Sequence, residues 1–443
     1  MRSVSGSDRG IGLRIRLRYR VISTSIRSGE VHVASPFVLE RRVVGENDMS
    51  TKEKIHIESV STVITAQNSE SGSRWKRRGI MLFQLAFSAA IMIWLCVQAS
   101  RSGAFSELVQ HDKNWAYMLL GTLFVGLGVV GTFFRWFRLL RSQGLEVSWS
   151  TTFRFSAVGY LMNLAPLGIV GGDLLKSVLI VRHQPNRQAD AIASVLMDRV
   201  IGLAALFYLI TLVAIASGAA SFPMPLAEFR EIWTQYRVGA LASLPGEMIF
   251  QLLIWFAFAL TLLGSIAMVL VLYPKQTGGR YLLVGLAKIP KVGPKFAALF
   301  QGFEKFGKTP YTLCESILLA ISFHGCFGLG AWCFAQGLFA QTYSVIYQVL
   351  LTSLANSSQV IPLPLGPFEL VIDLLYQWVP IYANGPTMKA GEGLIVAIAW
   401  RCSFIVVAAL LIPCYFLSRS EVRDVQKEIE TKETNDTKNR DST

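Results

Sequence analysis

Four stretches of the chain, residues 80–98, 115–134, 249–273 and 343–368, contain no Asp, Glu, Lys or Arg. As a helix rising about 1.5 Å per residue, each is long enough to cross a hydrocarbon core of roughly 30 Å. Three more are almost as apolar: 316–340 is interrupted by His324, 191–218 carries Asp198 and Arg199, and 393–418 carries Arg401. The chain is 52% hydrophobic and 16% charged, whereas soluble domains carry about 25% charge. Lipid is therefore the expected solvent. Because lipid leaves no water to pair backbone groups, the expected fold class is an all-α integral membrane protein, and a soluble enzyme is not expected.

The formal net charge is +13, but the basic residues cluster beside the apolar stretches, so they read as topology signals rather than as a nucleic-acid surface. Residues 1–73 form a basic, serine-rich arm that is expected to be disordered, and residues 419–443 a charged cytoplasmic tail. Met49, followed by a polar MSTKEK opening, is an alternative start. The six cysteines all fall in or beside apolar stretches, without CxxC or a histidine at metal spacing, so neither a disulfide framework nor a metal site is expected, and no cofactor.

Charge bookkeeping orders the 74–418 membrane region. Arg74, Lys76, Arg77 and Arg78 place the start of the first span in the cytoplasm, and Arg135, Arg138 and Arg141 return the chain there after the second. The 219–248 connection, poor in basic residues, belongs outside; the 274–310 connection, with seven Lys or Arg, belongs inside, as do Arg419 and Arg423. In this scheme segments 152–172 and 343–379 must each enter the membrane and return on the same side. Each holds helix-breaking residues: Pro166, Gly168, Gly171 and Gly172 in the first, Pro362, Pro364, Gly366 and Pro367 in the second. The result is six full spans plus two re-entrant hairpins. They repeat with opposite orientation in 79–218 and 249–418, the pattern of an inverted repeat.

Ionisable groups at membrane depth cost at least about 2.5 kcal/mol and so need partners or water. Asp198 and Arg199, about 100° apart on a helix, are expected to meet separate partners: Lys176 for Asp198, and Asp173 or Glu369 for an arginine. Arg199 and Arg401 suit a phosphate in a lipid headgroup, for which the planar guanidinium is a bidentate donor. The same ions could equally be inter-helix struts. Asn163 and Asn356 precede the two breaks and could bond freed backbone or a ligand. These residues make up the candidate lipid-binding set.

Gly171-Gly172-Asp173-Leu174-Leu175-Lys176, followed by the helix ending Leu196-Met197-Asp198-Arg199, resembles the lysylphosphatidylglycerol synthase transmembrane-region family, also known as flippase-like domain proteins. The resemblance spans about residues 75–418. Pro362 to Glu369 is similar to that family's later Pro, Gly-rich stretch, although Pro364-Leu365-Gly366-Pro367 stands where Pro-Gly-Gly is more usual. The resemblance implies lipid handling without the soluble transferase domain. It points to a protein that translocates a phosphate-bearing, anionic lipid across a prokaryotic cytoplasmic membrane, with both termini cytoplasmic and a separate lipid-modifying enzyme as a partner. A membrane enzyme using a polyprenyl-phosphate or phospholipid, and a non-catalytic membrane scaffold, are the alternatives.

Overall fold

A computed structural model describes residues 74–164, 172–219, 246–273, 303–361, 363–382, 385–421 and 423. The arm at 1–73, the Pro166, Gly168 and Gly171 break, and Pro362 lie outside the described residues. Among the described residues every regular element is helical apart from a single bridge between Pro380 and Thr387. In chain order the helices are α1 (Arg74–Ser102), α2 (Ala104–Gln110), α3 (Trp115–Ser142), α4 (Trp149–Leu164), α5 (Gly172–His183), α6 (Gln188–Ala216), α7 (Gly246–Leu272), α8 (Pro310–Leu338), α9 (Val345–Ser357), α10 (Pro367–Trp378) and α11 (Glu392–Leu417). Single 3-10 turns sit at Pro185–Arg187 and Ser358–Val360.

Helix starts follow local chemistry. The Asn114 side chain accepts from the backbone N–H groups of Ala116 and Tyr117 to cap α3, and Ser344 does the same for α9 through Tyr347. Pro310 and Pro367 sit in the first turns of α8 and α10, where a missing N–H costs nothing. Gly366 precedes α10 at φ 110°, a conformation closed to residues with a Cβ.

Six helices, α1, α3, α6, α7, α8 and α11, are long and apolar enough to cross a membrane. The protein is thus a multi-pass membrane protein. Leu82, Phe83 and Ile93 on α1, Phe256, Leu262 and Ile266 on α7, and Ile405, Leu410 and Phe416 on α11 are exposed, as they should be on a lipid-facing wall. Of the remaining five helices, the short α2 packs against α1, and the other four form two pairs, α4–α5 and α9–α10, each packed together. They occupy the slots assigned to the hairpins. One boundary needs correction: the return arm of the first hairpin is α5, so Lys176 and Arg182 lie on a helix and not in a connecting loop after it. Their basic character disguised them as topology charges, although the spacing Leu174, Leu175, Val178, Leu179 is helical.

The two halves have matching partners. If α1, α3, α4, α5 and α6 are exchanged for α7, α8, α9, α10 and α11, α3–α4 packing maps onto α8–α9, α5–α6 onto α10–α11, α6–α7 onto α11–α1 and α3–α6 onto α8–α11. Contacts between halves map likewise: α4 packs on α11 as α9 packs on α6, and α3 on α11 as α8 on α6. At the centre α3 and α8 cross antiparallel, Met118 lying near Gly337, Val125 near Gly330, and Arg138 bonded to Glu315 at 2.6 Å. A two-fold swap with an antiparallel central pair is the geometry of an inverted repeat.

Small residues let that central pair approach. A Cβ built on Gly330 would lie 2.9 Å from a Val125 methyl and 3.1 Å from the Gly121 carbonyl oxygen. Close backbone approach through glycine is a common device of membrane helices, which gain little from burying apolar surface that lipid would accept anyway. Gly330→Leu is expected to cost about 1–3 kcal/mol by overpacking. Thermal unfolding of the detergent-purified variant reads this directly; a midpoint equal to that of the parent would mean the seam opens without penalty.

Candidate functional site

The charged side chains of the first half converge where α3, α5 and α6 meet. Asp198, buried on α6, accepts a hydrogen bond from Arg135 Nε of α3 at 3.0 Å and lies 3.7 Å from Lys176 Nζ of α5. Lys176 Nζ also stands 3.8 Å from the centre of the Trp136 ring, a cation–π arrangement, and the Trp136 indole donates to Ser194 Oγ at 3.3 Å. Five residues from three helices therefore form one buried polar knot. Next in sequence, Arg199 points elsewhere, as the helical step requires, and pairs with Asp173 in the first turn of α5. This second pair is open: the side chains of Arg199 and Asp173 are 59% and 43% exposed.

Asn163, at the end of α4, closes the hairpin by accepting the Gly172 N–H at 2.8 Å, which satisfies a donor at the start of α5. A side chain at Gly172 would strike the Gly159 carbonyl, so the two arms meet backbone to backbone.

The second half repeats the plan with different contents. Glu369, buried in the first turn of α10, accepts from Arg401 Nε of α11 at 2.7 Å and, through its other oxygen, from the Gly366 N–H at 2.8 Å. The Phe368 ring stacks on Trp400 at 4.4 Å between centres and lies 5.7 Å from the Arg401 guanidinium. One turn further along α10, the fully buried Asp373 accepts from the N–H groups of Gly391 and Leu394 and from Gln377 Nε2, fixing the start of α11. Asn356 does not reach the second break: its side-chain oxygen takes a hydrogen bond from Gln359, while Ser357 and Ser358 cap carbonyls of their own helix. Pro364 and Gly366 form the described part of that break.

The structure thus brings Asp173, Lys176, Asp198 and Arg199 together with Asn163 close by, and Glu369 with Arg401. Arg135 was taken as a charge that holds a loop in the cytoplasm; it is instead 6% exposed inside α3 and the principal partner of Asp198. Nothing in its local sequence marks this, since three arginines ending a span are also what a topology signal looks like. Asp373 was overlooked, yet it was findable as a carboxylate four residues after Glu369 inside an apolar run. His324 Nε2 lies 3.1 Å from the Gly202 carbonyl, across α8 and α6.

Near the C-terminal end of α3, Asp190 holds Arg187 and Lys305, and Arg187 also donates to the carbonyls of Gln143 and Gly144. This joins the base of the first hairpin to the turn after α3. Lys389 pairs with Glu107, and that hydrogen bond raises the Lys389 pKa above its usual value. No group of three or more His, Cys, Asp or Glu that could hold a metal occurs among the described residues.

Six spans, two split hairpins exchanged across a two-fold, and arginine–carboxylate pairs at the hairpin tips define a polytopic membrane protein of the inverted-repeat class. The family model for the lysylphosphatidylglycerol synthase TM region matches residues 81–412, and the chain belongs to that family. No curated protein sequence matches the chain.

Proposed function

We propose that this protein binds a phosphate-bearing, anionic lipid and moves it between the leaflets of a prokaryotic cytoplasmic membrane, with both termini cytoplasmic, acting as a carrier rather than a catalyst. One observation carries the reading. Around the first hairpin three cations, Arg135, Lys176 and Arg199, face two carboxylates, Asp173 and Asp198, and Arg199 is the most exposed of the three cations. Excess positive charge at membrane depth is costly, and a lipid phosphate is the anion available there. The guanidinium offers it two parallel donors. Family membership supports lipid handling in general terms. A lipid-modifying enzyme acting on the same lipid would be a natural partner.

The test is reconstitution into liposomes carrying fluorescent or aminoacylated phospholipids. Transbilayer movement should exceed that of empty vesicles, and Arg199→Gln should slow it about tenfold or more, the scale of one lost charge-assisted bidentate contact. Movement no faster than in empty vesicles for every anionic phospholipid tried would remove the proposal.

A further inference from the structure

Taking the lipid-binding reading as its basis, we infer that the two repeat-related arginines have parted in role: Arg199 takes the ligand phosphate, Asp173 is the carboxylate that the phosphate displaces, and Arg401 is a permanent strut. The two pairs occupy equivalent positions, an acid at the tip of the hairpin's return arm and an arginine in the following span. Their surroundings differ in three ways that bear on exchange.

The first is what each carboxylate holds. Glu369 bonds Arg401 with one oxygen and the Gly366 N–H with the other, so removing it from Arg401 would also undo the turn that starts α10. In the first half Asn163 holds the start of α5 by accepting the Gly172 N–H. Among the described residues the Asp173 carboxylate is bonded by Arg199 and by no backbone N–H, so its release from Arg199 leaves the Asn163 bond in place.

The second difference is cover. Phe368 precedes Glu369 and Trp400 precedes Arg401; the two rings stack on each other, and Phe368 lies beside the Arg401 guanidinium. The residues in the same places in the first half are Gly172 and Asp198, which put no ring over Arg199. Side-chain exposure follows: 31% for Arg401 and 1% for Glu369, against 59% and 43% for Arg199 and Asp173.

The third is the neighbouring acid. Asp198 is engaged by Arg135 and Lys176, so it cannot take over Arg199 when Asp173 departs. An incoming phosphate meets a cation whose ion-pair partner among the described residues is the exposed Asp173. Release of Asp173 in turn removes one of the two ionic ties between the α5 tip and α6, the other being Lys176 to Asp198. Ligand binding is therefore coupled to the first hairpin and not to the second.

The experiment titrates short-chain dihexanoylphosphatidylglycerol, and separately inorganic phosphate, into the full-length detergent-purified protein. Affinity and hydrogen exchange of the amides at 172–176 and 367–371 are followed together. Lipid should speed exchange at 172–176 and leave 367–371 unchanged. Asp173→Asn should tighten lipid binding about three- to tenfold, because a competing carboxylate is gone. Arg199→Lys should weaken it about tenfold, a point charge replacing a planar fork, and Arg401→Lys should stay within about twofold of the parent. Both lysine variants keep the charge, so folding is preserved and the comparison stands. Weaker binding by Asp173→Asn, equal losses from the two lysine variants, or faster exchange at 367–371 would each overturn the inference. Inorganic phosphate that reproduces the whole pattern as strongly as the lipid would uphold the exchange at Arg199 and count against a lipid as the ligand. The same pattern with the lipid alone, but without transbilayer movement in liposomes, would uphold it and remove only the translocation.

Discussion

Asp198→Ala is expected to cost about 3–5 kcal/mol, because it strands two buried cations together. Arg135 and Lys176 are 6% and 10% exposed in their side chains, and Asp198 is the carboxylate that holds both. Without it, each cation must either be carried at low dielectric or drag the surrounding helices open to reach water. Unfolding of the purified protein by heat or by titrated denaturing detergent would show the loss. The mechanism also predicts a rescue. Removing all three charges with Asp198→Leu, Arg135→Met and Lys176→Met should recover much of the stability, since a buried ion cluster is held together mainly by the penalty for leaving it incomplete. A triple variant no better than Asp198→Ala would mean the residues matter for their shape and not their charge.

The second large effect separates the two halves. Glu369→Ala should cost about 3–5 kcal/mol, as it leaves a guanidinium without its carboxylate and the Gly366 N–H without its acceptor. Asp173→Ala, at the equivalent place, should cost less, because the pair it breaks is more exposed than Glu369 with Arg401. The same unfolding measurement on both variants provides the comparison. Similar losses would mean that exposure of the Asp173–Arg199 pair does not weaken it, and the division of roles between the arginines would fall with that result.

Much of the fold was legible before any coordinates. A long apolar stretch is a strong signal of lipid as solvent, because an unpaired backbone or a bare charge in hydrocarbon has no cheap remedy, although 343–368, free of charge, holds α9 and the second break rather than a crossing helix. The six long apolar helices occur where those stretches predicted them. Counting Lys and Arg on either side then left two segments that had to return, and helix pairs stand in both places. The pairing of Asp198 with Lys176, and of the two arginines with Asp173 and Glu369, also matches the expectation that adjacent residues on a helix seek different partners.

What could not be read was the direction each helix face looks. Arg135 and Arg138 sit three residues apart at the end of one helix, and in sequence they are the same signal. In the structure the first is buried against Asp198 while the second, 38% exposed in its side chain, meets Glu315 of α8. Lys176, expected beside Asp198, also stands over the Trp136 ring, a contact that depends on how α5 is rotated.

The sequence by itself determined that this chain lives in lipid, how many of its helices are long and apolar enough to cross it, and which family it resembles. These properties depend on length, charge and glycine or proline at given positions, all of which are local. Only the tertiary structure decided that α3 supplies the partner of Asp198, that Glu369 is tied to its own turn through the Gly366 N–H, and that one arginine of the repeat is open and the other covered. Such differences arise from the rotation of each helix about its axis and from the neighbour it packs against. A repeat that looks symmetric in sequence can therefore place equivalent charges in unequal surroundings.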